Sequence, residues 1–430
     1  MFNDLNNVKT QLDKEYPSLK VKEIAKNGSF GCRRPVGSSY FDKGVNKTFL
    51  VWSGPEMDVH VNVYNHSTKM FEEENKVYKN GMSGRWDYHN YPSMIKAPNG
   101  KTLIFYTTHT KGMYQLTAPN AHSISGEWSR KTISVDKNCY PAPVVVGDYI
   151  YVFYSKNDEP TYPYRTLCYI KSKDNGESWS DPKVIIDSLK QDPLRVDEVY
   201  LCGSKYAPEM GKYPERIQLS WSMWGGHNGH ASASNSAYFA YFSVEDDKMY
   251  SSAGDIIGEV INYKDMVEKC KIEKIDFNEE ITKTIASVVS SYRSSNGEPV
   301  VVYGSRNPHI DEKAEIKCAQ WTGESWDIQT IENESFGIKD IYKDPVDGNI
   351  RIVYCKGCYV IISKLVEGEK HWEVESATKI PFQNKAESIP YVNFVDDNDQ
   401  ELQIILGQIE FPEIKEWYTG IWPVLALGKS

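Results

Sequence analysis

Residues 172–179 read Ser172-Lys173-Asp174-Asn175-Gly176-Glu177-Ser178-Trp179. Each residue type suits a tight β-hairpin turn. Asp174 can accept from turn amides, Gly176 tolerates a positive φ, and Trp179 offers a broad surface for packing between sheets. Shorter versions recur as Gly-Glu-Trp ending at Trp128, Gly-Glu-Ser-Trp ending at Trp326 and Gly-Glu-Lys-His-Trp ending at Trp372. The Trp spacings are 51, 147 and 46 residues, and a unit of roughly 49 fits all three if the long gap holds three units. That is the length of one four-stranded propeller blade. Around these turns lie segments rich in β-branched and aromatic residues: TFLVWS, VHVNVY, TLIFYTT, YIYVFYS, RIQLSWS, AYFAYFS, PVVVYGS, IRIVYC, YVIISK and LQIILGQ. No helical segment recurs between them, which argues against a parallel α/β sheet. The expected fold is all-β, a seven-bladed β-propeller with a short N-terminal helix.

The first 27 residues read differently from the rest. Leu5, Val8 and Leu12 fall on one helical face and Pro17 ends the pattern, so a helical extension is expected over 1–27 and the propeller over 28–430. With 49 basic and 59 acidic side chains the formal net charge is −10, which argues against a nucleic-acid or polybasic membrane surface. The richest apolar run, Val144 to Tyr154, is interrupted by Gly147 and Asp148 and is too short to span a bilayer as a helix. No basic start followed by an apolar core opens the chain, so a cytoplasmic location is expected as written, or a secreted one if a leader was removed. Of eight cysteines only Cys355 and Cys358 are close, flanking a two-residue hairpin turn at Lys356-Gly357. Two unconnected thiols are the simplest reading there. No cofactor or metal is expected.

Propeller sites form where strand ends from several blades converge, so polar groups beside aromatics at strand ends carry the interest. His89 and His109 stand 20 positions apart, separated by a strand, the Asn99-Gly100-Lys101 turn and a return strand, an arrangement that brings both to one rim. Paired imidazoles there can neutralise a carboxylate or move a proton. His227 and His230 lie in a Gly-rich loop; without a helix or a carboxylate motif, sugar contact or a plain rim loop suits them better than metal binding. Asp396-Asp397-Asn398-Asp399 reads as a polar hairpin turn rather than a calcium loop. Tyr88, Tyr91, Tyr162 and Tyr164 are candidate stacking platforms for sugar rings.

The 172–179 turn resembles the S-x-D-x-G-x-x-W Asp-box of sialidase-like propellers, where such turns are structural and lie away from the catalytic face. The stretch WDYHNYPSMIKAPNGKTLIFYTTHTKGMYQLTAPNAHSISGEW (86–128) is similar to the H-N-x-P … H … S-x-x-P segment of an Asp-box propeller group that includes ulvan lyases and other enzymes acting on rhamnose–glucuronate linkages. The similarity extends through Cys139-Tyr140-Pro141-Ala142-Pro143 and RIQLSWSMWGGHNGH, and covers most of residues 28–265. In lyases of that group two histidines, a tyrosine and an arginine carry the reaction. The resemblance implies His89 and His109, then Tyr154 with Tyr140 as the alternative, and Arg165, the only Arg between 131 and 194. It departs from the group at SKNDEPTYPYR (155–165), where a shorter connection is usual. Asn90, Tyr140, Arg34, His227 and Tyr88 are the candidate substrate-binding residues.

The implied activity is cleavage of a uronic-acid linkage in an acidic poly- or oligosaccharide by β-elimination. Two other readings share the fold. A hydrolase, rhamnosidase- or sialidase-like, finds support in Arg33-Arg34-Pro35 but lacks the further arginines a sialidase needs. A catalytically silent glycan-binding propeller is the third, because fold does not dictate function.

Overall fold

The computed structural model describes residues 12, 15–28, 39–80, 91–108, 111–157, 164–188, 198–225, 233–273, 285–306, 314–335, 340–366, 371–380, 388–410 and 422–429. Among these the strands group into seven blades, each an antiparallel meander whose first strand is innermost. The first three strands of the blades in turn are Ser39–Asp42, Lys47–Ser53 and Val59–Asn65; Ser93–Lys96, Lys101–Thr107 and Lys111–Ala121; the second half of Ser129–Val146, Tyr149–Asn157 and Arg165–Ser172; Glu198–Ala207, Arg216–Gly225 and Ala233–Ser243; Ile285–Arg293, Pro299–Arg306 and Ala314–Trp321; Asp340–Lys343, Ile350–Lys356 and Tyr359–Val366; and Ser388–Phe394, Ile404–Glu410 and Trp422–Gly428. The first half of Ser129–Val146 is the outer strand of blade 2, so one long strand passes from one blade into the next.

Blade 7 takes its outer strand from the other end of the chain. Lys20–Gly28 pairs antiparallel with Trp422–Gly428, from Lys20↔Gly428 to Gly28↔Trp422. Propeller strand therefore begins eight residues before the expected boundary at 28, and 20–27 are not helical. The expected N-terminal helix falls mostly outside the described residues; all that is described of it is one helical-turn bond, Tyr16 N–H to the Leu12 carbonyl at 3.4 Å. Among the described residues, helical turns occur at Pro55–Met57 in blade 1 and at Tyr263–Asp265 running into Met266–Cys270 after blade 4.

Second strands read as almost unbroken apolar runs because both faces are covered by neighbouring blades. On Lys47–Ser53, Phe49 and Val51 pack with Met94, Ile104 and Leu116 of blade 2, whereas Leu50 and Trp52 pack with Ile405, Val424 and Ala426 of blade 7. The period of two survives, but it sorts residues between two cores rather than between core and solvent. Cys355 and Cys358 follow the same rule: both are buried and neither is in a disulfide, and they lie in clusters on opposite faces of blade 6.

The four Gly-Trp turns lead into outer strands of blades 2, 3, 5 and 6, or open them. The 147-residue gap thus spans two blade steps, not three. Blade 4 is enlarged, with strands of 10, 10 and 11 residues and a trailing Ile261–Asn262 that pairs back onto Lys183–Asp187 of blade 3. In the 172–179 turn, Ser172 Oγ accepts from Gly176 N–H at 2.9 Å and Asp174 Oδ1 from Ser178 N–H at 2.9 Å. Trp179 Nε1 donates to Gln115 Oε1 of blade 2 at 2.9 Å, with its ring edge-on to Phe105, so the turn fastens two blades together.

The Ser178 hydroxyl and amide and the Ser172 hydroxyl hold the Asp174 carboxyl down to about 2, from an ordinary 3.8. A value depressed by folding means the contribution is complete above about pH 4 and is lost as pH falls towards 2. Asp174→Asn is expected to unfold less steeply than the parent between pH 4 and 2, and to melt a few degrees lower at pH 7. Thermal melts across that range check both.

Candidate active site

Because each blade is a meander, the starts of first and third strands and the ends of second strands share one rim, here called the upper rim. The 172–179 turn, which joins third to fourth strand, is at the lower. Strand register lays out an upper-rim row across blades 2 to 4. Lys111 pairs with Asn138, and Asn138 pairs with Lys156. One residue on, Asn157 pairs with Arg165, Arg165 with Glu198, and Glu198 with Trp224. The Arg165↔Glu198 pairing is parallel and joins blade 3 to blade 4.

Arg165 is 4% exposed and Glu198 1%. The guanidinium Nε lies 3.4 Å from Glu198 Oε2, while its Nη1 is buried with no protein hydrogen-bond partner. Tyr200 and Tyr140 present ring faces to the guanidinium at 4.7 and 5.8 Å. Burial alone would lower the Arg165 value; Tyr200, Tyr140, Cys139 and Glu198 outweigh it and raise the value above an ordinary arginine's. Burial, the largest influence on Tyr200, pushes its hydroxyl well above the usual tyrosine value, so it stays protonated. Rings continue the wall on both sides: Tyr91 stacks on Tyr140 at 6.2 Å, Tyr140 meets Tyr200 at 5.6 Å, and Tyr200 meets Trp224 at 5.7 Å. The result is a buried cation with one nitrogen uncommitted, set in an aromatic arc. Chemically, such a cation can pair with a carboxylate, and aromatic faces can stack on a sugar ring.

Both candidate tyrosines sit at one β-bulge. The pairing of blade 3 skips from Cys139↔Ser155 to Ala142↔Phe153, so Tyr140 and Pro141 together oppose Tyr154. Proline loses nothing there, having no N–H to pair, and Tyr140 adopts φ 62, a left-handed value rare outside glycine. The bulge sends Tyr140 into the core facing blade 4, beside Arg165, and leaves Tyr154 in the core facing blade 2 with Phe105, Met113 and Cys168. Tyr154 therefore faces blade 2, whose second strand ends at Thr107 and whose third begins at Lys111. Lys111 and Lys156 flank Asn138 in adjacent ladders, about 10 Å apart at ordinary strand spacing.

His89, His109, Asn90, Tyr88, Arg34, His227, His230 and Tyr162 lie outside the described residues. Tyr91 and Tyr164 are not open stacking platforms: both are buried, and the Tyr164 hydroxyl donates to Asp187 Oδ1 at 2.6 Å. Glu198 and Tyr200 were not read from the sequence. The available signal was an acid opening the apolar strand EVYLCGS one blade after the lone Arg165.

Residues 47–334 match the BNR repeat-containing family, and the chain belongs to that family. Among individual proteins, an ulvan lyase of Alteromonas sp. (strain LOR) is 24% identical over 232 residues, 48% of this chain. The match spans about half, 47%, of that relative's length. A PL25 ulvan lyase solved with –[GlcA(1–4)Rha3S]– bound superposes with a TM-score of 0.72 at 15% identity, covering 95% of this chain and 96% of that one. The polysaccharide lyase Uly1 superposes at 0.63 with 11% identity, covering 96% and 100%. The fold is thus that of the ulvan-lyase propellers.

The Arg165–Glu198 pair is testable by a double-mutant cycle. Glu198→Ala is expected to cost about 3 kcal/mol or more, because it strands a buried cation. Glu198→Ala with Arg165→Met should cost less than the two singles summed, by about 1–3 kcal/mol. Equilibrium urea unfolding of the four proteins checks this.

Proposed function

We propose that this chain is a polysaccharide or oligosaccharide lyase that cleaves the linkage to a uronic acid by β-elimination. The observation that carries the reading is the buried Arg165 with Nη1 uncommitted, at the rim where strand ends of blades 2 to 4 meet. Family membership and the shared propeller fold support it.

In this reading Arg165 Nη1 receives the uronate carboxylate. Neutralising that charge acidifies the neighbouring C5 proton, and a preset buried cation does so without reorganising at the moment of reaction. Glu198 is a positioning residue, holding the guanidinium through Nε and leaving Nη1 for the carboxylate. Tyr154 and His109 act as the proton-transfer pair, and His89 shares the carboxylate. The base removes the C5 proton, that electron pair forms the C4=C5 bond, the C4–O4 bond breaks, and the acid protonates the departing oxygen. Tyr140, with Asn90, Arg34, His227 and Tyr88, contacts the sugar rings. The substrate class is an acidic glycan of rhamnose–glucuronate type.

Incubation with ulvan should raise ultraviolet absorbance as the C4=C5 bond conjugates with the carboxylate. Arg165→Ala and Tyr154→Phe should each slow that rise by about 10²–10³-fold. Tyr140→Phe should raise KM with little loss of kcat. Free reducing ends without absorbance would replace elimination by hydrolysis; neither signal on any uronic-acid glycan would leave a glycan-binding propeller.

A further inference from the structure

At the lower rim, where blade 1 meets blade 7, three metal-ligating side chains converge away from the candidate active site. His66 comes from the end of the third strand of blade 1, and Asp399 and Glu401 from the turn joining the first two strands of blade 7. One ligand atom from each lies within 4.8 Å of the other two. His66 Nδ1 is 2.6 Å from Asp399 Oδ2 and 3.4 Å from Glu401 Oε2.

Three further observations set this corner apart from a surface acidic cluster. The His66 side chain is only 2% exposed, yet its Nδ1 makes no contact of hydrogen-bond geometry, despite the nearness of Asp399. Its other nitrogen, Nε2, is engaged at 2.8 Å by Thr48 Oγ1, and the rings of Phe41 and Tyr64 flank it edge-on at 4.9 and 4.8 Å. The ring is therefore fixed, with Nδ1 turned toward two carboxylates. Glu401 divides its oxygens: Oε1 accepts from the Tyr64 hydroxyl at 2.7 Å and faces Lys22 Nζ at 3.4 Å, which leaves Oε2 for the His66 corner. Such outer hydrogen bonds are what orient the ligands of metal sites.

We propose that His66, Asp399 and Glu401 bind a zinc-class divalent cation that clasps the first blade to the last. One imidazole and two carboxylates suit zinc better than calcium or magnesium, which take oxygen ligands. At Zn–ligand bonds of about 2.1 Å, tetrahedral neighbours lie about 3.4 Å apart. That is the His66–Glu401 separation as it stands. Asp399 withdraws by about 0.8 Å to match, which a turn residue accommodates, and water completes the coordination. The ligands bridge chain segments more than 300 residues apart, and Lys22, beside Glu401, belongs to the strand that closes the ring. Loading this corner therefore reinforces the seam.

The test uses the full chain, treated with chelator, dialysed and titrated with zinc, calcium or magnesium. The expected result is about one zinc per chain by elemental analysis and a Tm raised by roughly 3 °C at a hundredfold excess over Kd. Calcium and magnesium should produce no shift. Asp399→Asn and Glu401→Gln should lose the zinc shift and the bound equivalent while keeping the parent's circular dichroism. No stoichiometric zinc on the parent chain would overturn the proposal, whatever the variants do. Uptake undiminished in both variants would overturn it equally, as would an equal response to calcium.

Discussion

Closure of the ring is the constraint on which everything else depends. No blade here buries its own faces; each is covered by its neighbours, and the seventh is completed only when Lys20–Gly28 pairs with Trp422–Gly428. Leu50 and Trp52 of blade 1 share a core with Val424 and Ala426 of blade 7, so opening the seam would expose apolar surface on both sides. The seam is also pinned by backbone bonds, Phe41 N–H to the Asp396 carbonyl at 2.8 Å and Asp396 N–H to the Ser39 carbonyl at 3.2 Å. Lys205 of blade 4 reaches Asp396 Oδ1 at 3.4 Å and Asp340 Oδ1 of blade 6 at 3.8 Å. A charge this deep is tolerated because its partners converge on it from different blades.

A closed ring fixes the heights of its strand ends, and the candidate site uses that. Arg165 opens a third strand, Glu198 opens the next blade's first strand, and Tyr140 and Tyr154 sit at one bulge with their side chains on opposite faces of blade 3. None of these side chains is near another in local sequence terms except through the ladder. The site also stores local cost. Tyr140 holds a left-handed backbone, and Arg165 keeps its charge in a nearly dry setting with only Nε matched to a carboxylate. Those are costs of about 1–3 kcal/mol each, sustained because the surrounding blades over-determine the geometry.

Much of the fold was legible in the sequence because second and third strands are long and apolar on both faces. Segments such as YIYVFYS and IRIVYC announced themselves, and the Gly-Trp turns marked where outer strands begin. First strands such as Ser39–Asp42 and Asp340–Lys343 span four residues, two of them polar in each, so they left no pattern. Lys20–Gly28 misled because KVKEIAKNG alternates poorly, being an outer strand covered on one side only. The 147-residue gap misled because blade 4 is oversized, which no periodicity could reveal. At the site, Arg165 stood out as a lone arginine, but Glu198 and Tyr200 did not, since their meaning arises only when a parallel pairing brings two blades together.

The central claim is that Arg165 Nη1 is the carboxylate receptor of a uronate-cleaving site. The most direct measurement is a crystal structure of a Tyr154→Phe variant soaked with a glucuronate–rhamnose oligosaccharide. A glucuronate carboxylate is expected within hydrogen-bond distance of Arg165 Nη1, with its ring against Tyr140 and its C5 proton facing position 154. A sugar bound elsewhere, or a carboxylate that avoids Arg165 while occupying the same mouth, would contradict it.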